Sequence, residues 1–177
     1  ATLHERARHL APGGAEDPLE EQAHSPVPGL IHRFRDRCLV IATNRCAVYC
    51  RHCNRRRLWR GREVFLAADE LETVAGYIER RPALREVILS GGDPLTLSDG
   101  RLKGILARLR AIGHVEVLRV GSRMPVVLPM RITERLCGIL RAHRPLWFLT
   151  QFNHPREITP EAAAACERLL RAGIPVL

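Results

Sequence analysis

Apolar and polar positions along this chain alternate between two periods. Cys38–Ala42 is a continuous apolar run, the pattern of a strand buried on both faces. Leu71, Val74, Ala75 and Ile78 then recur at helical spacing, predicting an amphipathic helix that stops before Pro82. Glu86–Leu89 reads as a short strand running into Ser90, Gly91, Gly92 and Asp93. A second helical stripe (Leu102, Ile105, Leu106, Leu109) precedes a strand over Val115–Val120, which ends in Gly121, Ser122 and Arg123. Thr133 caps a helix carrying Leu136, Ile139 and Leu140, and Leu146–Thr150 is a strand leading into Gln151, Phe152, Asn153 and His154. Thr159 as N-cap, Pro160 at the first helical position and Gly173 past the end bracket one more helix. Ile174–Leu177 opens a further strand.

Strand–helix alternation of this kind predicts an α/β fold with parallel strands and right-handed crossovers. The expected architecture is a partial (β/α) barrel, truncated after about four and a half β/α units. In such barrels the active site is built from loops at the C-terminal ends of the strands. Here four successive strands each run straight into a polar or glycine-rich segment, so all four should face one site. Residues 1–29 are polar and rich in Pro and Gly, with an acidic knot at Glu16, Asp17, Glu20 and Glu21. Residues 1–35 are therefore expected to be an N-terminal arm or linker, and residues 36–177 the core.

Composition narrows the function class. With 46% hydrophobic and 27% charged residues in a chain of 177, general disorder is excluded. No apolar run approaches the roughly 18–20 residues that cross a bilayer, and the N-terminus has no secretory apolar core. No membrane association and a cytoplasmic location are expected; the missing initiator Met suggests processing or a fragment. The formal charge is +9, and Lys103 is the only lysine, so 27 of the 28 basic residues are Arg. Six arginines fall in residues 51–62, a cluster that suits nucleic acid as well as phosphates or carboxylates of small molecules. Aromatic content is 5%, thin for a base-stacking surface, and nucleic acid is not the favoured partner.

Three of the six cysteines form Cys46-Ala-Val-Tyr-Cys50-Arg-His-Cys53, a C-x3-C-x2-C motif. Cysteines this close are no disulfide framework and point to a metal or iron–sulfur site. Three thiolates can hold three irons of a [4Fe–4S] cube and leave the fourth open to a substrate. The competing reading is zinc with His52 as fourth ligand, although zinc sites usually draw ligand pairs from two separate places. Cys38, Cys137 and Cys166 fall in a strand or on helix stripes and are expected to be core thiols.

A C-x3-C-x2-C motif after the first strand of a β/α barrel resembles radical S-adenosylmethionine (SAM) enzymes. SPVPGLIHRF (25–34), CAVYCRHCNRRR (46–57), VILSGGDPL (87–95), RVGSRMPVVLP (119–129) and FNHPREIT (152–159) together resemble the lysine 2,3-aminomutase family, in order, over residues 17 to 177. The resemblance implies a radical SAM core over 36–177, with Cys46, Cys50 and Cys53 as cluster ligands. It implies an isomerase in which the open iron binds the methionine end of SAM. A 5′-deoxyadenosyl radical abstracts a substrate hydrogen, and pyridoxal 5′-phosphate (PLP) carries the amino group from C2 to C3. L-lysine is the first substrate to consider, with glutamate or a lysine of elongation factor P as alternatives. An amino-acid substrate, a reductant such as flavodoxin or ferredoxin, and a homo-oligomer would be its partners.

Carried over residue by residue, Ser90, Gly91, Gly92 and Asp93 match the segment against the methionine end of SAM. Ser122, Arg123 and Asn153 match further SAM contacts, and Arg55 matches the arginine that faces the substrate carboxylate. Arg33 and Arg37 match positions near the PLP phosphate. Arg56, Arg57, Arg60 and Arg62 are expected to be solvated surface or subunit contacts. Two positions depart from the family pattern: Phe34 stands where Tyr is usual, and Gln151 where His is usual. Lys103 lies beside a helix stripe that should face outward, which leaves this chain without the Schiff-base lysine of the family, and it reads as an N-terminal fragment.

Overall fold

A computed structural model describes residues 15–177; the first part of the expected arm, residues 1–14, lies outside the described residues. Five strands form one sheet in the order β1 (Leu30–Phe34), β2 (Arg37–Thr43), β3 (Glu86–Gly91), β4 (Val117–Gly121) and β5 (Leu146–Leu149). β2 to β5 are mutually parallel, and each crossover carries a helix: α1 (Ala68–Glu79), α2 (Asp99–Arg110) and α3 (Glu134–Ala142). α4 (Pro160–Arg171) follows β5, and the chain then returns to lie beside it, with a parallel bridge between Phe148 and Val176. The α/β fold with its partial (β/α) arrangement is thus as the periodicity predicts.

The first strand departs from expectation. Residues 30–34, assigned in advance to the arm, form β1 and pair antiparallel with β2, Leu30 opposite Val40 and Phe34 opposite Arg37. Only the first two of its residues are buried, so the segment carries no long apolar signal. The acidic knot is not an extended linker either: residues 17–25 fold into successive turns.

Alternation along the strands assigns the two sheet faces. Cys38, Val40 and Ala42, Val87 and Leu89, Leu118 and Val120, and Leu146 and Phe148 are buried in one cluster with the helix residues Val74, Ile78, Leu102, Leu106, Leu136 and Leu140. The intervening residues, among them Leu39, Ile41, Ile88, Val117 and Trp147, lie on the opposite, more accessible face. Helix ends follow the sequence signals: Ser98, Thr133 and Thr159 each accept an N–H from the first turn of their helix, and Gly173 takes φ +72° beyond α4. Cys38 and Cys137 are core thiols as expected, while Cys166 is only half-buried.

Leu89→Ala should lower stability by about 3 kcal/mol, the cost of a cavity in a packed core. Thr159→Ala, which removes only a cap, should cost about 1 kcal/mol. Urea denaturation of the two variants checks the ranking.

Candidate active site

The C-terminal ends of the parallel strands open into one cavity of about 360 Å³. Each strand contributes. From beyond β2 come Cys46, Cys50, His52, Cys53 and Arg55; from β3 and its exit, Ser90, Gly91, Gly92 and Asp93. Gly121, Ser122 and Arg123 follow β4, and Leu149, Thr150 and Gln151 end or follow β5. The four loops singled out by the strand pattern therefore meet at one place, and Leu19 of the acidic turn adds a wall. Asn153 is not among the lining residues; its side chain accepts from Gln151 instead (2.8 Å), and Gln151 in turn donates to His52 (3.1 Å).

Backbone contact joins the first two loops. Gly92 N donates to Thr43 O (2.5 Å) and Asp93 N to Arg45 O (2.7 Å), so the turn after β3 lies directly on the chain that leads into Cys46. Gly91 has φ +107°, and a Cβ there would meet Thr43 O at 2.6 Å. A Cβ on Gly92 would collide with Arg45 O and stand 2.7 Å from Asn44 C. Such approaches have no room for a side chain. Both glycines are thus required first by the chain's own packing.

Asp93 ties the next loops together. One carboxylate oxygen accepts from Leu95 N (3.0 Å) and the other from Arg123 N (3.0 Å). Burial pushes its pKa up, opposed by the hydrogen bonds from Ser122, Leu95 and Arg123. Ser122, itself buried, also accepts from Met124 N (3.0 Å). Arg123 then spans the rim: it donates to Gln151 O (3.1 Å) and to Cys50 Sγ (3.1 Å), and pairs with Glu157 at 2.8 Å. Glu157 is held below its usual carboxylate range chiefly by Asn153 N–H and, against the cost of burial, by Arg123.

Cys46, Cys50 and Cys53 all line the cavity; among the described residues no three donors gather as a single metal ion would need. Burial first, then the negative charge of Asp93, pushes Cys46 up to about 12, and burial raises Cys53 as well.

Arg55 lines the cavity, and Glu21 grips one edge of its guanidinium: Nη2 lies 2.6 Å from Oε1, and Nε donates to Oε2 (3.1 Å). Arg57 corrects the expectation of a solvated residue. Its side chain is 9% exposed and pairs with both Glu21 (2.8 Å) and Asp17 (3.1 Å). The Arg60 side chain lies outside the described residues. Glu21, 3% exposed, is the residue sequence reading missed; its only signal was an acidic knot in a chain with a basic one.

Arg33 and Arg37 are not among the cavity-lining residues. Arg33 is exposed and donates to Leu19 O (2.8 Å). Arg37 starts β2 and pairs with Asp36 (3.2 Å), about 20 Å along the strand from its cavity end at ~3.3 Å per residue. By alternation Arg37 shares the open sheet face with Ser90. Lys103 stands on the exposed side of α2, as the stripe predicts, away from the cavity lining. Among the described residues no helix is long and apolar enough to cross a membrane.

Residues 40–177 match the family model described as the radical SAM superfamily. The chain is 49% identical over 168 residues to L-lysine 2,3-aminomutase of Fusobacterium nucleatum, covering 95% of this chain and 40% of that protein. It is 47% identical to L-lysine 2,3-aminomutase of Bacillus subtilis, over 91% of this chain and 34% of that protein. Glutamate 2,3-aminomutase of Clostridioides difficile is 40% identical, over 90% of this chain and 38% of that protein. The chain thus spans about 40% of the length of the first of these relatives.

Because the space at Gly92 is taken by the Asn44–Arg45 backbone, Gly92→Ala should displace the entry to Cys46. The expected outcome is a loss of more than about 1 kcal/mol in urea denaturation together with reduced iron uptake on anaerobic reconstitution. Gly104→Ala, with nothing within 4 Å of its Cβ, should instead stabilise by about 0.5–1 kcal/mol and leave iron uptake unchanged.

Proposed function

The chain belongs to the radical SAM superfamily, and from that premise we propose that it forms the SAM-binding part of an amino-acid 2,3-aminomutase, with L-lysine as the first substrate to test. The carrying observation is the cavity at the strand ends, where three cysteines, the glycine turn and Arg55 stand together. Lysine is tested first because the relatives at 47–49% identity carry that name, whereas identity alone does not separate it from glutamate, the L-lysine 2,3-aminomutase of Escherichia coli standing at 39% and the glutamate enzyme of Clostridioides difficile at 40%.

In this reading Cys46, Cys50 and Cys53 would hold a [4Fe–4S] cluster that leaves one iron open to SAM. Cluster, SAM and PLP supply, when bound, the electron, the hydrogen-abstracting radical and the amino-group carrier of the reaction. The chain's own residues bind, orient and exclude water. Ser90, Gly91 and Gly92 present a wall with little side chain to the ligand. Asp93 keeps that wall in register with the β4 loop, and Ser122 and Arg123 close the rim on the SAM side. Arg123, already directed at Cys50, places positive charge beside a ligand thiolate. Asn153 acts through Gln151 rather than on the ligand. Arg55 binds the substrate carboxylate through its fixed, planar donors.

For PLP the described residues offer only part of a site. Arg37, on the open sheet face, and Arg33 are candidates for its phosphate. Lys103 faces away from the cavity, so it is not the amine that would hold the cofactor. A flavodoxin or ferredoxin as reductant, a homo-oligomer and a cytoplasmic location complete the proposal.

Anaerobic reconstitution of the full-length gene product should give about four irons and four sulfides per chain, and Cys50→Ala should lose the cluster. With dithionite, the reconstituted protein should cleave SAM to 5′-deoxyadenosine. Stoichiometric zinc without iron uptake would contradict the reading.

A further inference from the structure

The acidic turn before β1 is absorbed by none of these roles, yet it holds the most buried carboxylate of the site. We infer that Glu21 is a positioning residue that aims Arg55 at the substrate carboxylate; this rests on the reading of Arg55 as the carboxylate-binding group.

Guanidinium carries five N–H donors in a fixed plane, so occupying one edge dictates where the others point. Glu21 takes the Nε–Nη2 edge of Arg55, through contacts of 3.1 Å and 2.6 Å. Nη1 has no hydrogen-bond partner among the described residues, and with the second N–H of Nη2 it forms a complete end-on edge. That edge matches a second carboxylate bidentately. Arg55 lines the same cavity as Cys53 and Cys46.

Glu21 is itself fixed from the other side. Arg57 Nη2 donates to Oε2 (2.8 Å), and Arg57 Nη1 is paired with Asp17 (3.1 Å) and also donates to Asn54 O (3.3 Å). Asp17 accepts in turn from Gln22 N (2.9 Å). Two arginines two residues apart would repel, and one carboxylate between them sets their spacing. The arrangement assigns a division of labour: Asp17 and Arg57 dock the turn, whereas Glu21 is the one carboxylate among the described residues that pairs with the Arg55 guanidinium.

Glu21→Gln removes the charge and turns one acceptor into a donor facing two guanidinium groups. In full-length protein loaded with cluster, SAM and PLP, calorimetric titration compares L-lysine with L-lysinamide, which lacks the carboxylate. The unsubstituted protein should prefer lysine, and Glu21→Gln should lose most of that preference. Its KM for lysine should rise about tenfold while kcat stays within about threefold. Asp17→Asn, whose side chain meets Arg57 and the turn's own amides but has no contact with the Arg55 guanidinium among the described residues, should keep both the preference and the KM. If Glu21→Gln fails to take up iron, Glu21→Asp serves, being one methylene too short to span the Arg55 edge, and should also lose the preference. An undiminished preference in the Glu21 variant, or an equal loss in Asp17→Asn, overturns the inference. Arg55→Gln separates the two levels: if it retains the preference for lysine, the carboxylate reading of Arg55 falls and the aim of Glu21 falls with it.

Discussion

The site depends on one backbone contact. The turn after β3 rests on the chain leaving β2, with Gly92 N on Thr43 O and Asp93 N on Arg45 O. Parallel strands already bring their C-terminal ends to one side of the sheet, but strand geometry alone leaves the following loops free. Two glycines let one loop lie on the backbone of the other, and the first motif cysteine follows immediately. Asp93 then passes the constraint to β4 by accepting from Arg123 N (3.0 Å), and Arg123 passes it to the β5 loop through Gln151 O (3.1 Å). Four loops are thereby registered against each other by hydrogen bonds rather than by a shared apolar core.

Charge organises the opposite wall. A basic loop so close to three thiols would scatter its arginines into solvent if nothing opposed them. Glu21 and Asp17 draw Arg55 and Arg57 inward, and pairs this buried keep their geometry far better than exposed ones. The Cys loop is gripped through the same contacts, because Arg55 stands two residues beyond Cys53 and its N–H donates to that sulfur (3.3 Å).

Much of this was legible in the sequence. Helical stripes and apolar runs marked the four helices and four parallel strands, because each element buries one face on a common core. The convergence of Cys46, Ser90, Ser122 and Gln151 also followed from strand polarity. β1 was not legible: an edge strand with two buried residues and a polar remainder resembles a linker. Nor was the partnership of Glu21 with Arg55 and Arg57, whose members lie 34 and 36 residues apart, since no periodicity links acid and base at that distance. The family match places the glycine pair against a ligand, but it does not reveal that the neighbouring loop already fills the space at both positions.

The strand-end cavity is proposed to hold a cluster with one iron left to SAM. Mössbauer spectroscopy of the full-length protein reconstituted with iron-57 tests this directly. Adding SAM should change the parameters of about one iron in four and leave the other three, those assigned to Cys46, Cys50 and Cys53 in the proposal, unaltered. Spectra in which all irons respond alike, or in which none responds to saturating SAM, would contradict it.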